Sequence, residues 1–278
     1  MKKLILAIIS AMLIVTQTTS CVIRYKLPDS ENSSESSDSD IPVINLNISR
    51  TIDDYIIKNI DEDGVEIVRY IGEEADISVP AKLDGFPVIS VGEAAFADLR
   101  YAQSITVPDG VEIICDDAFS NCRELTAIEL PDSVTRLGKR AFAECVKLKS
   151  FRVPEKITAI EAYTFYNCYV IKEITLPNGL THIGQGAFFN CAKLTEVTLP
   201  ESLKTIEAEG FYSCFGLTEI KLPDSLEYLG KRTFDNCYNL EEILFKGEIY
   251  NVNLDDEHYD HSELLLAVNG EPEEEEDE

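Results

Sequence analysis

The sequence predicts an α/β solenoid, with a parallel β-sheet on one face, short helical turns at the corners and a β-hairpin at its N-terminal end. Three in-phase sets of residues predict this fold, because a fixed period of about 20 to 50 residues is typical of stacked supersecondary units. Seven phenylalanines recur every 23 residues, at Phe96, Phe119, Phe142, Phe165, Phe188, Phe211 and Phe234. Six cysteines each follow a Phe by three residues, at Cys122, Cys145, Cys168, Cys191, Cys214 and Cys237. Six prolines mark a third phase, at Pro108, Pro131, Pro154, Pro177, Pro200 and Pro223.

One repeat, residues 125–145, reads LTAIELPDSVTRLGKRAFAEC and shows how each coil is built. Ile128 and Leu130 alternate with polar residues, which favours a strand with one buried face. Pro131 cannot donate to a β-ladder, so it ends that strand and turns the chain. Further apolar residues then point inward, and Phe142 fills the next corner in a short helical turn. No single coil can bury these positions, so stacked coils must bury them jointly.

The repeat resembles a known family. The pattern Leu-x-x-Ile-x-Leu-Pro-x-Ser-Val-x-x-Leu-Gly-x-x-Ala-Phe-x-x-Cys looks like the 23-residue leucine-rich repeat of BspA-type bacterial cell-surface proteins. VPAKLDGFPVISVGEAAF, residues 79–96, is similar to the opening module of that family. The resemblance covers about residues 65–250. It implies adhesion to a host extracellular protein, such as fibronectin, or to other bacteria.

The N-terminal segment indicates export. Residues 1–20 are read as a signal peptide, because two lysines precede an apolar stretch that is too short to span a membrane. Thr18-Thr19-Ser20-Cys21 resembles a bacterial lipobox, which implies that Cys21 becomes a lipid-modified N-terminus. The alternative is ordinary cleavage after Ser20, which leaves Cys21 as a free thiol. We therefore expect an exported protein, at the cell surface or on the outer face of the membrane as a lipoprotein.

The remaining chain divides by composition. Residues 29–40 are acidic and Ser-rich with no apolar residue, which is typical of a flexible linker. The predicted order after the signal peptide is a lipid-anchored linker over 21–45, a capping hairpin and first module over 46–90, leucine-rich repeats over 91–245, and a C-terminal cap with an acidic tail over 246–278. The hairpin is expected to pair residues 55–60 with 65–71.

Two acidic segments are candidate metal sites. The hairpin turn Asp61-Glu62-Asp63-Gly64 lacks the twelve-residue ligand pattern of a calcium loop, so a plain turn is favoured. DDEHYDH, residues 255–261, combines His258 and His261 with carboxylates, and a solvated acidic loop is favoured there over a weak metal site. We expect no bound metal and no cofactor.

The net charge of −27 restricts the partners. Residues 246–278 alone carry 13 acidic side chains against one lysine. Nucleic acid and anionic lipid head groups are poor partners, because their phosphates would meet repulsion where a binding protein needs Lys and Arg. Basic protein surfaces and divalent cations are the partners that this charge favours.

The repeated cysteines are predicted to fill the core. Adjacent coils would hold their Cβ vectors parallel, which opposes a disulfide, and a buried Cys behaves as a small hydrophobe. We expect a ladder of buried thiols with weak hydrogen bonds, and only Cys115 near solvent. The chain has three histidines, and no Ser-His-Asp or Cys-His pattern indicates activation of a nucleophile, so we expect no enzymatic activity.

Ligand binding is predicted on the exposed face of the strands. The candidate residues are Glu129, Arg152, Glu173, Glu196, Glu219, Lys221 and Glu242. The last four glutamates in one outward row would stack about 4.8 Å apart and repel one another, which has no structural benefit. The alternative is that Lys172, Arg152 and Lys221 screen this repulsion and that the row has no dedicated partner.

The sequence thus predicts a monomeric, non-enzymatic interaction module, and the resemblance to BspA-type proteins implies adhesion to proteins on a host or bacterial surface. Carbohydrate or cell-wall binding is an alternative, which would require exposed aromatic side chains. The candidates for that role are Tyr163, Tyr166, Tyr169, Tyr212 and Tyr238, near the helical corner. A structural lipoprotein of the cell envelope is a further alternative.

Overall fold

A computed structural model of the protein describes residues 49–60, 64–251 and 262–270. These residues form β1 (Arg50–Ile52), β2 (Tyr55–Ile60), β3 (Gly64–Tyr70), β4 (Asp76–Ser78), β5 (Lys82–Leu83), β6 (Phe86–Val91), β7 (Ser104–Thr106), β8 (Ile113–Ile114), β9 (Ala127–Glu129), β10 (Arg136–Leu137), β11 (Ser150–Arg152), β12 (Ala159–Ile160), β13 (Glu173–Thr175), β14 (His182–Ile183), β15 (Glu196–Val197), β16 (Thr205–Ile206), β17 (Glu219–Lys221), β18 (Tyr228–Leu229), β19 (Glu242–Phe245), β20 (Glu248–Asn251) and the helix α1 (Ser262–Asn269). Among them is no helix with the length and apolarity that crossing a bilayer requires. The signal segment, Cys21, the linker, residues 61–63, residues 255–261 and the acidic tail after 270 lie outside the described residues.

Each coil of the solenoid contributes two strands, which form two parallel rows. The first row contains eight strands: β4, β7, β9, β11, β13, β15, β17 and β19. The second row contains β6, β8, β10, β12, β14, β16 and β18. Partners are one repeat apart, as in Ser150 opposite Glu173 and Ala159 opposite His182. The prediction of a sheet on one face was therefore incomplete, because strands line a second face as well.

The first row is divided along its length. It forms the sheets β4-β7-β9, β11-β13-β15 and β17-β19-β20, in which β20 is antiparallel to β19. The second row continues from the N-terminal strands through β6, β8 and β10, and a further sheet follows with β12, β14, β16 and β18. The outward side chains of the first row thus belong to three successive sheets.

The corners that contain the repeated phenylalanines are turns. The predicted helical turns do not form in the described residues, because two residues of every corner have a left-handed backbone. One lies two residues before each Phe and the other two residues after it, as in Arg140 (φ 56°) and Glu144 (φ 62°) around Phe142. A right-handed helix cannot continue through such residues. The N–H of Phe142 instead donates to the O atom of Thr164 on the next coil, at 2.9 Å.

The core is a column of phenylalanine rings with a column of thiols beside it. All seven repeated phenylalanines are fully buried, and successive ring centroids are 5.1 to 5.8 Å apart. Each of the six in-phase thiols donates to the carbonyl oxygen of the Phe 26 residues earlier, at 3.0 to 3.3 Å. The predicted ladder of buried thiols is confirmed. Cys115 is half-buried beside Ser90, as its position in the repeat indicated.

Different elements lie at the two ends of the array. β2 and β3 pair antiparallel, and β3 then pairs in parallel with β6. Tyr70, at the end of β3, stacks on Phe96 with centroids 5.4 Å apart, so a tyrosine extends the phenylalanine column. At the other end, α1 buries Leu264 and Val268. The Asn269 side chain pairs with both backbone groups of Leu229, at 2.8 Å each.

Candidate functional site

The outward side chains of the first strand row form the exposed face on which binding was predicted. Glu129 lies on β9, Arg152 on β11, Glu173 on β13 and Glu196 on β15, while Glu219 and Lys221 lie on β17 and Glu242 on β19. All seven side chains are exposed. The predicted positions are thus accessible, but they are distributed over the three sheets and do not form one uninterrupted row.

The four glutamates of the row form two pairs. Glu173 is directly opposite Glu196, and Glu219 is directly opposite Glu242. No strand pairing joins Glu196 to Glu219, since β15 and β17 belong to different sheets. Like charges directly opposite each other on neighbouring strands destabilise a sheet. The structure therefore concentrates the repulsion in two places.

Two of the three cations that were expected to screen this face, Arg152 and Lys221, pair with other carboxylates. Arg152 Nη1 is 2.8 Å from Asp132 Oδ1, and Lys221 Nζ is 3.9 Å from Glu201 Oε1. The hydrogen bond from Arg152 lowers the pKa of Asp132. Within the described part of the chain, none of the four paired glutamates is within ion-pair distance of a cation. In the described part of the chain, the repulsion between these glutamates is therefore not relieved by direct ion pairs with Lys172, Arg152 or Lys221.

The tyrosines proposed for sugar binding lie at the corners of the later coils. The Tyr166 ring is tilted against Phe189, with centroids 5.3 Å apart, and Phe189 stacks on Tyr212 at 4.6 Å, so part of each ring faces another ring. Tyr238 is 60% exposed and Tyr169 is 38% exposed. At these corners, the Tyr169 and Tyr238 rings are therefore accessible, whereas Tyr166, Phe189 and Tyr212 pack against one another.

The buried thiols are protonated and therefore poor nucleophiles and metal ligands. Burial raises the pKa of Cys122, Cys168 and Cys237 to about 12 and that of Cys145 well above its usual value. The thiol form therefore predominates at neutral pH, whereas a nucleophile or a metal ligand must be a thiolate. Across residues 49–60, 64–251 and 262–270, no group of three or more His, Cys, Asp and Glu side chains could hold a metal ion. His182, on β14 of the second strand row, has its Nε2 atom 3.4 Å from Glu207 Oε1.

A basic cleft on the flank of the coils was not predicted. We call it the lysine cleft; its volume is about 530 Å³, and its lining residues are Thr126, Lys147, Lys149, Val170, Lys172 and Lys193. Lys149 and Lys172 occupy the same position in adjacent repeats, as do Lys147, Val170 and Lys193 in three successive repeats. An alignment of the repeats at every position, beyond the strand residues alone, contains this signal.

Comparison with known proteins agrees with this architecture. Residues 89–189 and 158–256 match the profile of the BspA type leucine-rich repeat region, with six copies. A leucine-rich cell surface protein from Faecalibacterium prausnitzii is similar in structure, with 28% identity, a TM-score of 0.66, and coverage of 75% of this chain and 59% of that one. A leucine-rich repeat protein from Bacteroides ovatus has 33% identity, a TM-score of 0.65 and coverage of 70% and 53%. A leucine-rich repeat protein from T. pallidum has 32% identity, a TM-score of 0.63 and coverage of 67% of this chain and 88% of that one.

The chain therefore spans little more than half of two of these structures. No match was found among curated proteins.

Proposed function

We propose, since this chain belongs to the BspA-type leucine-rich repeat family, that it is a non-enzymatic protein-interaction module displayed outside the cell. Proteins of this kind generally bind other proteins, and extended solenoid surfaces are suited to that task. The partner we infer is a basic surface of a host or bacterial protein. The binding face is the exposed strand face, with Glu129, Arg152, Glu173, Glu196, Glu219, Lys221 and Glu242 as its contact residues.

The single observation that carries this proposal is the pairing of unneutralised glutamates. Glu173 opposes Glu196 and Glu219 opposes Glu242, while the nearby Arg152 pairs with Asp132 instead. Like charges in register destabilise a sheet, so the arrangement has no benefit for folding alone. A basic partner would relieve the repulsion in the complex. Complementary charge of this kind also accelerates encounter and selects among partners.

The test is a charge reversal on the face. The mature full-length chain is screened against host matrix proteins and bacterial surface proteins, and the best partner is then measured with the double variant Glu196→Lys/Glu219→Lys. We expect at least a tenfold loss of affinity. The matched control is Glu93→Lys/Glu112→Lys, which changes the net charge equally at exposed residues off this face. Equal affinity of wild type and the strand-face variant would contradict the proposal, and equal losses in both variants would show a nonspecific charge effect.

We further propose that the module is held at the cell surface through a lipid on Cys21. The lipobox-like residues before Cys21 support this location, as does the similarity to a protein named as a cell surface protein. The expected result is that the wild type partitions into membranes and Cys21→Ser is released into the medium. Membrane retention of Cys21→Ser would contradict the anchor.

A carbohydrate ligand is a second candidate, favoured by the exposed ring of Tyr238. An exposed aromatic ring offers an apolar face against which the C–H groups of a sugar can pack. If glycans are the ligand, Tyr238→Ala should abolish binding on a glycan array while Glu196→Lys/Glu219→Lys leaves it intact. The reverse pattern supports the strand face. If neither glycan nor protein binds, a structural role in the envelope becomes the preferred interpretation.

A further inference from the structure

The lysine cleft differs in charge from the rest of this acidic protein. Its four lysines project from three successive coils, so their positions along the solenoid axis are about 5 and 10 Å apart by strand spacing. The backbone N–H of Lys172 donates to the backbone carbonyl oxygen of Lys149 at 2.9 Å, which fixes the two residues next to each other on adjacent coils. An unoccupied cluster of this kind is unfavourable, because its like charges repel one another.

Eight of the fifteen basic side chains in residues 91–245 pair with a carboxylate on a neighbouring coil. Lys204 pairs with Glu227 at 2.6 Å and Arg232 with Glu209 at 2.8 Å. In the lysine cleft, Lys147 alone has such a partner, Glu124 at 2.6 Å. Among the described residues, no carboxylate lies within ion-pair distance of Lys149, Lys172 or Lys193. The cleft therefore presents three cations that lack a partner in the described solenoid.

The chemistry of the lining favours an extended, flexible anion. All of its cations are lysines, which are mobile point charges that can follow an acidic chain and do not need the fixed bidentate geometry that arginine provides. The lining has no aromatic ring for stacking a sugar. Val170 and the lysine stems supply an apolar floor on which an extended backbone can lie. An acidic polypeptide segment fits these features.

We propose that the lysine cleft binds an acidic polypeptide segment, and that residues 271–278 of this chain are its occupant. These residues read EPEEEEDE and carry seven carboxylates in eight positions. A separate polyanion must approach a molecule with a net charge of −27, whereas a tethered segment is already present at an effective concentration on the order of millimolar. Charge and tethering thus both favour the chain's own acidic segment.

The length of the segment is sufficient. It follows α1, whose Asn269 is fixed on Leu229 at the C-terminal coil. Lys193 lies between one and two coils away from Leu229, and Lys149 lies between three and four coils away, which corresponds to about 7 to 17 Å along the axis. Eight residues span about 26 to 29 Å when extended. The extended segment is therefore longer than its separation from the cleft along the solenoid axis.

The first test is zero-length cross-linking of the full mature chain with a carbodiimide, followed by peptide mass spectrometry. We expect links from residues 271–278 to Lys149, Lys172 or Lys193. The Lys204–Glu227 pair, at 2.6 Å, is the internal positive control. The exposed Lys231, on the coil nearest α1, measures nonspecific contact of the tail. Links to Lys231 that equal or exceed those to the cleft, or no tail links while the control forms, would overturn the proposal.

A mixture of isotopically light and heavy chains identifies the copy that supplies the tail. Links within one copy support the proposal, and links found only between copies refute it. A second measurement is the acetylation rate of Lys149 and Lys172 before and after replacement of the four glutamates 273–276 by Gln. We expect a rise of about threefold, which corresponds to an effective concentration of about twice the dissociation constant. The exposed Lys156 is the control and should not change.

Equal rates in both proteins would contradict the tail as occupant. Heparin serves as the external polyanion probe: protection of the cleft by heparin, with none by the tail, would assign the cleft to an outside ligand.

Discussion

Two consecutive phenylalanines provide a test of how the array is stabilised. Phe188 is fully buried, with its ring 5.5 Å from Phe165 and 5.1 Å from Phe211 in the central column. Phe189 is only half-buried, and at the corner its ring is tilted against Tyr166 at 5.3 Å and stacked on Tyr212 at 4.6 Å. The two residues have the same side chain and the same number of ring neighbours. They differ in the amount of surface that the fold removes from water.

Replacement of Phe188 by Ala should lower the free energy of unfolding by about 3 to 5 kcal/mol, because it removes a buried aromatic side chain and leaves a cavity in a column that cannot collapse. The Phe189→Ala change should cost about 1 to 3 kcal/mol, since it loses two ring contacts of about 0.5 to 1.5 kcal/mol each but leaves an opening that water can fill. The predicted difference between the variants is thus about 2 kcal/mol.

The assay is urea denaturation followed by circular dichroism, because the chain contains no tryptophan. The midpoint and the m value are fitted separately, so that a loss of stability is distinguished from a change in the surface exposed on unfolding. Equal midpoints for the two variants would refute the reasoning, because ring stacking and not burial would then determine the stability of the column.

Three further outcomes are expected. Gly138→Ala should cost about 2 kcal/mol, because a Cβ would collide with backbone atoms of Cys115 and Asp116, whereas Gly179→Ala should be neutral, since nothing lies within 4 Å of its added Cβ. Thiol labelling at pH 8 should modify Cys115 before any ladder cysteine, and uniform labelling would contradict the burial. The free energy of unfolding should fall as the pH rises from about 9 towards 12. Burial raises the pKa of Cys168 to about 12 in the folded protein, so over this range the thiol loses its proton in the unfolded state but keeps it in the folded state. This difference lowers the free energy of unfolding by about 1.4 kcal/mol per pH unit. Cys168→Ser should reduce that slope in denaturation curves at pH 9 and 10.5.

The period of the sequence predicted the parts of the fold that depend on stacking. Phe142 and Cys145 were placed in the core because a residue that recurs in every coil must occupy the same site in every coil. The same reasoning placed Glu173 opposite Glu196. Register and core position follow from the period alone, without any knowledge of local backbone geometry.

The backbone between these positions could not be predicted in the same way. The second strand row consists of two-residue strands such as Arg136–Leu137, which are too short to show an alternating pattern. The left-handed corner residues include Tyr163 and Arg140, side chains that give no signal of a positive φ. The lysine cleft was missed because Lys149 and Lys193 lie outside the strand positions, in two columns of the repeat whose basic residues become evident only when every position is aligned.

The hydrogen-bonded thiol column also affects how the protein is made. In the finished structure the seven cysteines of the described residues are all reduced, and six of them are sealed from oxidants. In the nascent chain, the six in-phase cysteines are separated by intervals of 23 residues, and the entropy cost of closing such loops is modest. In an oxidising medium, coil stacking therefore competes kinetically with disulfide formation in each newly made chain. A disulfide that forms before stacking would hold two coils out of register. Production of this protein should depend on the redox state during the minutes of folding, and hardly at all on the redox state afterwards.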